Sequence, residues 1–340
     1  PADVDAVFCH SAFFTFPATT LSEYLGLRPQ YVDTTATGGS SFVAHLRHAT
    51  AAINAGMCEV ALIAYGSNQR SHSGGLAASG VNLVPSYEAA FGPRMPVSGY
   101  ALAAARHMHE HGTTREHLAE VAVAARRWAQ LHPNAFEQGD LTLDDVLGSR
   151  LVSTPLSVRD CCLVTDGAGA VVVTTTERAK DLARPPVPIL SVAEASRHMN
   201  ISTTLDLTTT AAAESGPRAF DLAGLRPSDV DVVQVYDAFT INTLLFLEDL
   251  GFCAKGEGGP FVADGGIAPG GRLPVNTNGG GLSYTHPGMY GIFLIVEAVR
   301  QLRGEGGARQ VADAHVGLVH GNGGVLSSQV TALLGDLTTI

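Results

Sequence analysis

The chain has 340 residues, 45% hydrophobic and 16% charged, with a net charge of −11; this is the make-up of a globular α/β enzyme large enough for two domains or one duplicated domain. The acidity excludes a general nucleic-acid binder, which needs a basic stripe to displace counterions. No apolar run reaches the ~18 residues of a membrane span, and no cationic apolar leader marks the chain for secretion. Five cysteines (Cys9, Cys58, Cys161, Cys162 and Cys253) lie mostly inside apolar runs. Odd in number and so placed, they read as reduced thiols of a cytoplasmic protein rather than a disulfide framework.

In chain order, P-A-D-V-D-A-V-F (Pro1 to Phe8) reads as a turn entering a buried strand. Because that strand comes so soon and no Met precedes it, further residues are expected upstream. The Gly-rich turn T-T-A-T-G-G-S-S (Thr34 to Ser41) opens a helix on which Phe42, Leu46, Ala49 and Ile53 recur at helical spacing, with Gly56 as the stop. Strands are expected at Glu59 to Gly66 and from Gly169 to Val173. Between them, about Met95 to Arg150, stand two helical segments (Gly99 to His111 and Arg115 to Gln130) and a polar loop, an insertion suited to a lid or substrate-binding loop. On the first of these helices His107 and His111 share a face and His109 does not, so a solvated surface is expected there rather than a metal site.

The second half repeats the first. P-S-D-V-D-V-V-Q-V-Y (Pro227 to Tyr236) matches the opening strand, and N-T-N-G-G-G-L-S (Asn276 to Ser283) matches the Gly-rich turn and is expected to open a helix carrying Ile292, Ile295, Val296 and Val299 up to Gly304. Strands follow at Ala314 to Gly321 and Val325 to Leu334. Two βαβ halves in one order, 1–175 and 176–340, imply two similar domains about a pseudo-twofold axis. No Walker loop, post-strand G-x-G-x-x-G, H-E-x-x-H or G-x-S-x-G is present.

The segments S-V-R-D-C-C-L-V-T-D-G-A-G-A-V-V-V (Ser157 to Val173), L-H-P-N-A-F, Y-D-A-F-T (Tyr236 to Thr240), N-T-N-G-G-G-L-S-Y-T-H-P-G (Asn276 to Gly288) and H-G-N-G-G (His320 to Gly324) resemble the thiolase superfamily, closest to its sterol-carrier-protein-X, lipid-transfer-protein branch. The resemblance implies a five-layered αβαβα thiolase fold whose first strand and helix precede Pro1. It also implies a dimer formed around the first-half sheet.

The departures from that family bear on function. The position of the thiolase nucleophile, counted back from Gly56, falls at Gly39, with Ser40 and Ser41 beside it and no cysteine between Cys9 and Cys58. The family's second catalytic cysteine falls at His320, Tyr236 stands for the Asn or His of another motif, and the G-H-P histidine is kept as His286. Without a nucleophile, ping-pong acyl transfer cannot run. Such members resemble steroid-CoA aldolases, which release a short acyl-CoA from a β-hydroxyacyl-CoA and work with a small OB-fold, zinc-ribbon partner in a heterotetramer.

Retro-aldol cleavage needs a base for the β-hydroxyl, a donor for the thioester enolate and a proton for the departing carbon. It needs no cofactor beyond the CoA of the substrate. His286 is the expected enolate donor, Tyr236 and Tyr284 the proton carriers and His320 a proton shuttle, while Gly39, Ser40, Tyr290 and Asn322 are expected against the substrate. Asp237 reads as structural. Asn278 and Asn322 are expected in Gly-rich turns, where Asn serves backbone geometry, and Cys161 and Cys162 as packing. Arg126 and Arg127 suit either the CoA phosphates or a plain surface helix. Two other functions compete with the aldolase: a transferase using Ser40 or Ser41, and a non-catalytic acyl-CoA- or lipid-binding scaffold.

Overall fold

The computed structural model describes residues 2–73 and 87–339. Ten strands and eleven α-helices alternate along them. The first half contains β1 (Ala6–Cys9), α1 (Pro17–Leu25), β2 (Tyr31–Asp33), α2 (Ser41–Asn54), β3 (Val60–Ser67) and α3 (Gln69–Ser73). The insertion then contributes α4 (Val97–His111), α5 (Arg115–Gln130) and α6 (Leu143–Leu147), followed by a short hairpin of β4 (Leu151–Ser153) and β5 (Leu156–Ser157). β6 (Gly167–Thr174) and α7 (Thr176–Lys180) lead to the second half: β7 (Ile189–Ser196), α8 (Ala212–Ala223), β8 (Val232–Val235), α9 (Thr240–Asp249), α10 (Gly258–Val262), α11 (Gly291–Leu302), β9 (Val316–Gly323) and β10 (Ser328–Gly335).

The duplication read from sequence appears directly in the strand pairing. One sheet runs β2-β1-β3-β6 and the other β7-β10-β9-β8. In each half a parallel pair (β1 with β3, β8 with β9) is followed by an antiparallel partner, β6 or β10. Helices α2 and α11 lie side by side between the sheets, α2 touching β3, β7 and β9, and α11 touching β6, β8 and β9. With α1 on the far face of the first sheet and α8 on that of the second, the layers are αβαβα. Burial on both faces explains why β9 and β10 are apolar or hydrogen-bonded at every position.

Three details differ from the sequence expectation. The second Gly-rich turn does not run into its helix: a π-helical turn over Gly280–Tyr284 intervenes, and α11 begins only at Gly291. β9 extends to Gly323 because its ladder with β10 carries on to the Gly323–Ser328 pair, so Asn322 is a strand residue and not a turn residue. The insertion is no simple lid. Phe136 and Glu137 donate their backbone N–H groups to the carbonyls of Tyr284 and Ser283, and the Trp128 indole donates to Ile267, which ties α5 and the following loop to the second half.

The His107 expectation is also corrected. Its ring is fully buried, with Nδ1 2.7 Å from Thr113 Oγ1 and Nε2 3.0 Å from Glu248 Oε2. Lys255 neutralises the same carboxylate from 3.1 Å. Among the described residues no His, Cys, Asp and Glu side chains are grouped to hold a metal.

Candidate active site

A cavity of about 170 Å³ opens where the two halves meet. Its walls come from Gly38 and Gly39 before α2, Tyr236 at the end of β8, and His286 to Met289 before α11. Asn322 and Gly324 of the β9–β10 connection, Cys162, and Pro96 with Tyr100 from the insertion complete it. The start of α2 meets the start of α11 so closely that a Cβ on Gly291 would overlap the Gly39 carbonyl oxygen. Both central helices therefore direct their N-terminal ends, the positive ends of their dipoles, toward one region, which favours negative charge developing there.

At the centre is a hydrogen-bonded triad. The Tyr236 hydroxyl lies 3.0 Å from His286 Nε2 and accepts the backbone N–H of Tyr290 at 3.0 Å. Burial alone holds His286 down at about 4, so its imidazole is neutral near pH 7. Burial likewise lifts the Tyr236 phenol well above its ordinary value, so phenolate is not its resting form. The turn holding His286 is fixed by its backbone N–H to Thr165 Oγ1, at 3.0 Å, and by the Thr165–Thr285 hydroxyl pair at 2.7 Å. His286 Nδ1 has no partner within the protein, an uncommon state for a buried ring nitrogen and a mark of functional sites.

Gly39 and Tyr236 fit one another. A Cβ on Gly39 would lie 2.6 Å from Tyr236 Cζ and 2.7 Å from its hydroxyl oxygen, and closer still to Cε2. The phenol thus occupies the volume that a side chain at position 39 would take. Ser40 and Ser41 are buried and do not line the cavity: Ser40 Oγ bonds the Thr37 carbonyl at 2.9 Å, and Ser41 Oγ accepts the Thr37 N–H at 2.9 Å. Cys162 does line it, yet burial raises its thiol well above the ordinary value, so no thiolate is at hand.

The other expected residues are distributed as follows. Tyr290 is fully buried as the residue before α11, with its hydroxyl on Asn278 Oδ1 at 2.8 Å; it scaffolds Tyr236 through its backbone and is not a wall residue. Asn278 also accepts the Gly280 N–H, the backbone role expected of it. Tyr284 lies outside the cavity wall, its ring 4.5 Å from that of His132. His320 is not on the wall either: it faces β10 and α9, engaging Thr331 and Gln329 at 2.9 Å each and packing on Phe246. Asp237 accepts the N–H groups of Gly281 and Leu282 and is structural; burial raises it to about 7. Arg126 is buried on Ser283 and Gly139, hence not available to phosphates, whereas Arg127 is exposed.

Tyr100 and Cys162 are wall residues that sequence reasoning missed. The signal for Tyr100 was slight: one aromatic beside Gly99 at the start of a helix read only for its periodicity. Its ring stacks on Phe239 with centroids 4.4 Å apart.

This architecture, two βαβαβ halves with paired central helices whose N-termini meet at a cavity, is that of thiolases. The family description "Thiolase C-terminal domain-like" matches residues 193–336. A "Steroid side-chain-cleaving aldolase" of Thermomonospora curvata is 37% identical over 326 residues, 89% of this chain and 81% of that protein. The solved structure titled "Ltp2-ChsH2(DUF35) aldolase" superposes with a TM-score of 0.87 at 34% identity, covering 98% of this chain and 87% of that one. An "Acetyl-CoA acetyltransferase" of Methanothermobacter thermautotrophicus is 42% identical over 240 residues, 70% of this chain, but the chain spans only 62% of that relative. The chain belongs to the thiolase superfamily, in the branch that holds the sterol-carrier-protein thiolases and the steroid side-chain-cleaving aldolases.

Proposed function

We propose that the protein is a carbon–carbon lyase that cleaves a β-hydroxyacyl-CoA by retro-aldol chemistry, releasing a ketone or aldehyde and a short acyl-CoA. The observation that carries this reading is the phenol of Tyr236, hydrogen-bonded to a neutral His286 and filling the volume of a side chain at Gly39. In the cleavage, the β-hydroxyl gives its proton to the Tyr236 oxygen as the Tyr236 proton moves to His286 Nε2. The Cα–Cβ bond breaks as the carbinol carbon becomes a carbonyl. Its electron pair passes into the thioester as an enolate, which the two helix N-termini favour, and the same proton returns to Cα. No acyl-enzyme forms, and no cofactor other than the substrate's own CoA takes part.

The steroid class of substrate rests on the names of the aldolase relatives. By the same likeness the chain is a cytoplasmic homodimer that joins a small OB-fold, zinc-ribbon partner, and the related solved structure is titled as a complex with a DUF35 protein. No helix among the described residues is long and apolar enough to cross a membrane. Mass spectrometry after incubation with β-hydroxyacyl-CoAs, a steroid-derived one among them, tests the reading with and without the partner. Short acyl-CoA plus a ketone or aldehyde with unchanged protein mass is the expected result; an acylated protein would overturn it.

A further inference from the structure

A buried hydrogen-bond chain ends on the cavity wall, and its direction is fixed by its last acceptor. The Gly324 carbonyl can only accept, so the Tyr100 hydroxyl donates to it, at 2.8 Å. The Tyr100 oxygen must then accept from Asn322, which turns the amide nitrogen of Asn322 toward Tyr100 at 2.9 Å and its oxygen toward Gln329. Gln329 donates to that oxygen at 2.8 Å and presents its own carbonyl to His320 Nε2, 2.9 Å away. Nε2 therefore carries the proton of the neutral ring. Nδ1 accepts the Thr331 hydroxyl at 2.9 Å, and Thr331 accepts from Ser215 at 2.9 Å. Seven groups thus point one way, from Ser215 to the cavity, and the orientation of the Asn322 amide follows from the rest.

Asn322 is 2% exposed and forms part of the cavity wall. One hydrogen of its amide goes to Tyr100; the other is left for a ligand. We infer that this second N–H is a donor to the thioester oxygen as it becomes the enolate oxygen, and that His320, remote from the cavity, is a positioning residue acting through Gln329. The inference rests on the lyase reading. A donor locked by a chain that needs no rearrangement is the arrangement that stabilises developing charge most effectively. It also gives His320 a role compatible with its place beneath α9.

The test is exchange of the α-protons of propionyl-CoA in D₂O, followed by mass spectrometry, which reads enolate formation without the aldol step. Asn322→Asp keeps the shape and removes the donor. Gln329→Glu keeps Asn322 and reverses its amide, since a carboxylate facing it can only accept. Each is expected to slow exchange and β-hydroxyacyl-CoA cleavage by ~10²–10³, with the half-saturating concentration little changed. Thr331→Val, which loosens the chain at its far end, should cost less than either. Should Asn322→Asp fail to fold, Gln329→Glu carries the test. Exchange within a few-fold of wild type in folded Gln329→Glu and Asn322→Asp, while the wild type cleaves its substrate, would overturn this inference and leave the lyase reading standing. A wild type that neither exchanges nor cleaves would overturn both.

Discussion

Replacing Gly39 with alanine is the most direct perturbation of the site. Gly39, unlike Gly38 at φ 72°, is not in the left-handed region, so alanine adds no backbone strain and the effect is steric. The new Cβ would sit 2.6 Å from Tyr236 Cζ, where ordinary contact begins near 3.4 Å, so the ring must retreat by about 1 Å. Both bonds of its hydroxyl, each 3.0 Å long, then stretch beyond useful range. Overpacking costs about 1–3 kcal/mol. Leaving the buried Tyr290 N–H and His286 Nε2 without their partner adds about 1–3 kcal/mol more for each group that finds no substitute.

Activity is the sharper readout, because a misplacement of ~1 Å at reacting groups costs ~10²-fold. Steady-state cleavage and thermal unfolding of Gly39→Ala, Tyr236→Ala and the double variant form a cycle. The double variant should be more stable than the sum of the single changes predicts, since removing the ring removes the clash. A Gly39→Ala protein with wild-type turnover and unchanged melting, or strictly additive stabilities, would show that Tyr236 does not occupy this volume in solution.

Tyr236→Phe should keep the fold and acyl-CoA binding but lose nearly all cleavage; isothermal titration with propionyl-CoA beside a product assay checks both, and unaltered turnover would remove Tyr236 from the proton path. Because His286 is held at about 4, the base form is the neutral ring present above that value, so kcat/KM should fall only as pH drops through about 4. An acidic limb near 6.5 in the pH–rate profile would contradict that environment. His45 is fully buried between Phe8 and Phe42, with neither ring nitrogen hydrogen-bonded, and is also held at about 4 by burial. Its folded value lies below the unfolded one, so its stability contribution is complete above about 6.5 and declines toward 4. His45→Met should accordingly gain on the wild type by about 1.4 kcal/mol per pH unit as pH falls through that window, read from urea midpoints at several pH values; a constant difference would refute it.

Much of the fold was legible because repetition and helical periodicity are properties of the sequence itself. The α5 boundaries, Arg115 to Gln130, match the expectation residue for residue, helped by a Thr114 cap that a reader can see. What could not be read is which face of a strand meets which layer. His320 and Asn322 share a face of β9, yet only the one nearer the strand's end reaches the cavity, and where the strand ends is set by its ladder with β10. For the same reason His107, whose neighbours on α4 are polar, is buried against a glutamate 141 residues away. Tyr284, two residues from His286, is carried off the wall because the π-helical turn changes the rotation between them.

The Gly39–Tyr236 pair shows the same limit in its most consequential form. A glycine at one motif and a tyrosine at another are each visible, 197 positions apart, and each alone reads as an ordinary substitution. Only packing makes them one change. The phenol needs the glycine for its space, and the glycine leaves a void unless the phenol fills it. A nucleophile therefore cannot be restored at position 39 by a single replacement: Gly39→Cys would drive its side chain into the ring. Gly39→Cys combined with Tyr236→Asn is expected to accept an acetyl group from acetyl-CoA, seen as a 42 Da mass increase (about, from the ketene unit added), while Gly39→Cys alone is not. Equal acylation of the two proteins would mean that the ring yields freely, and the reciprocity argued here would fall with it.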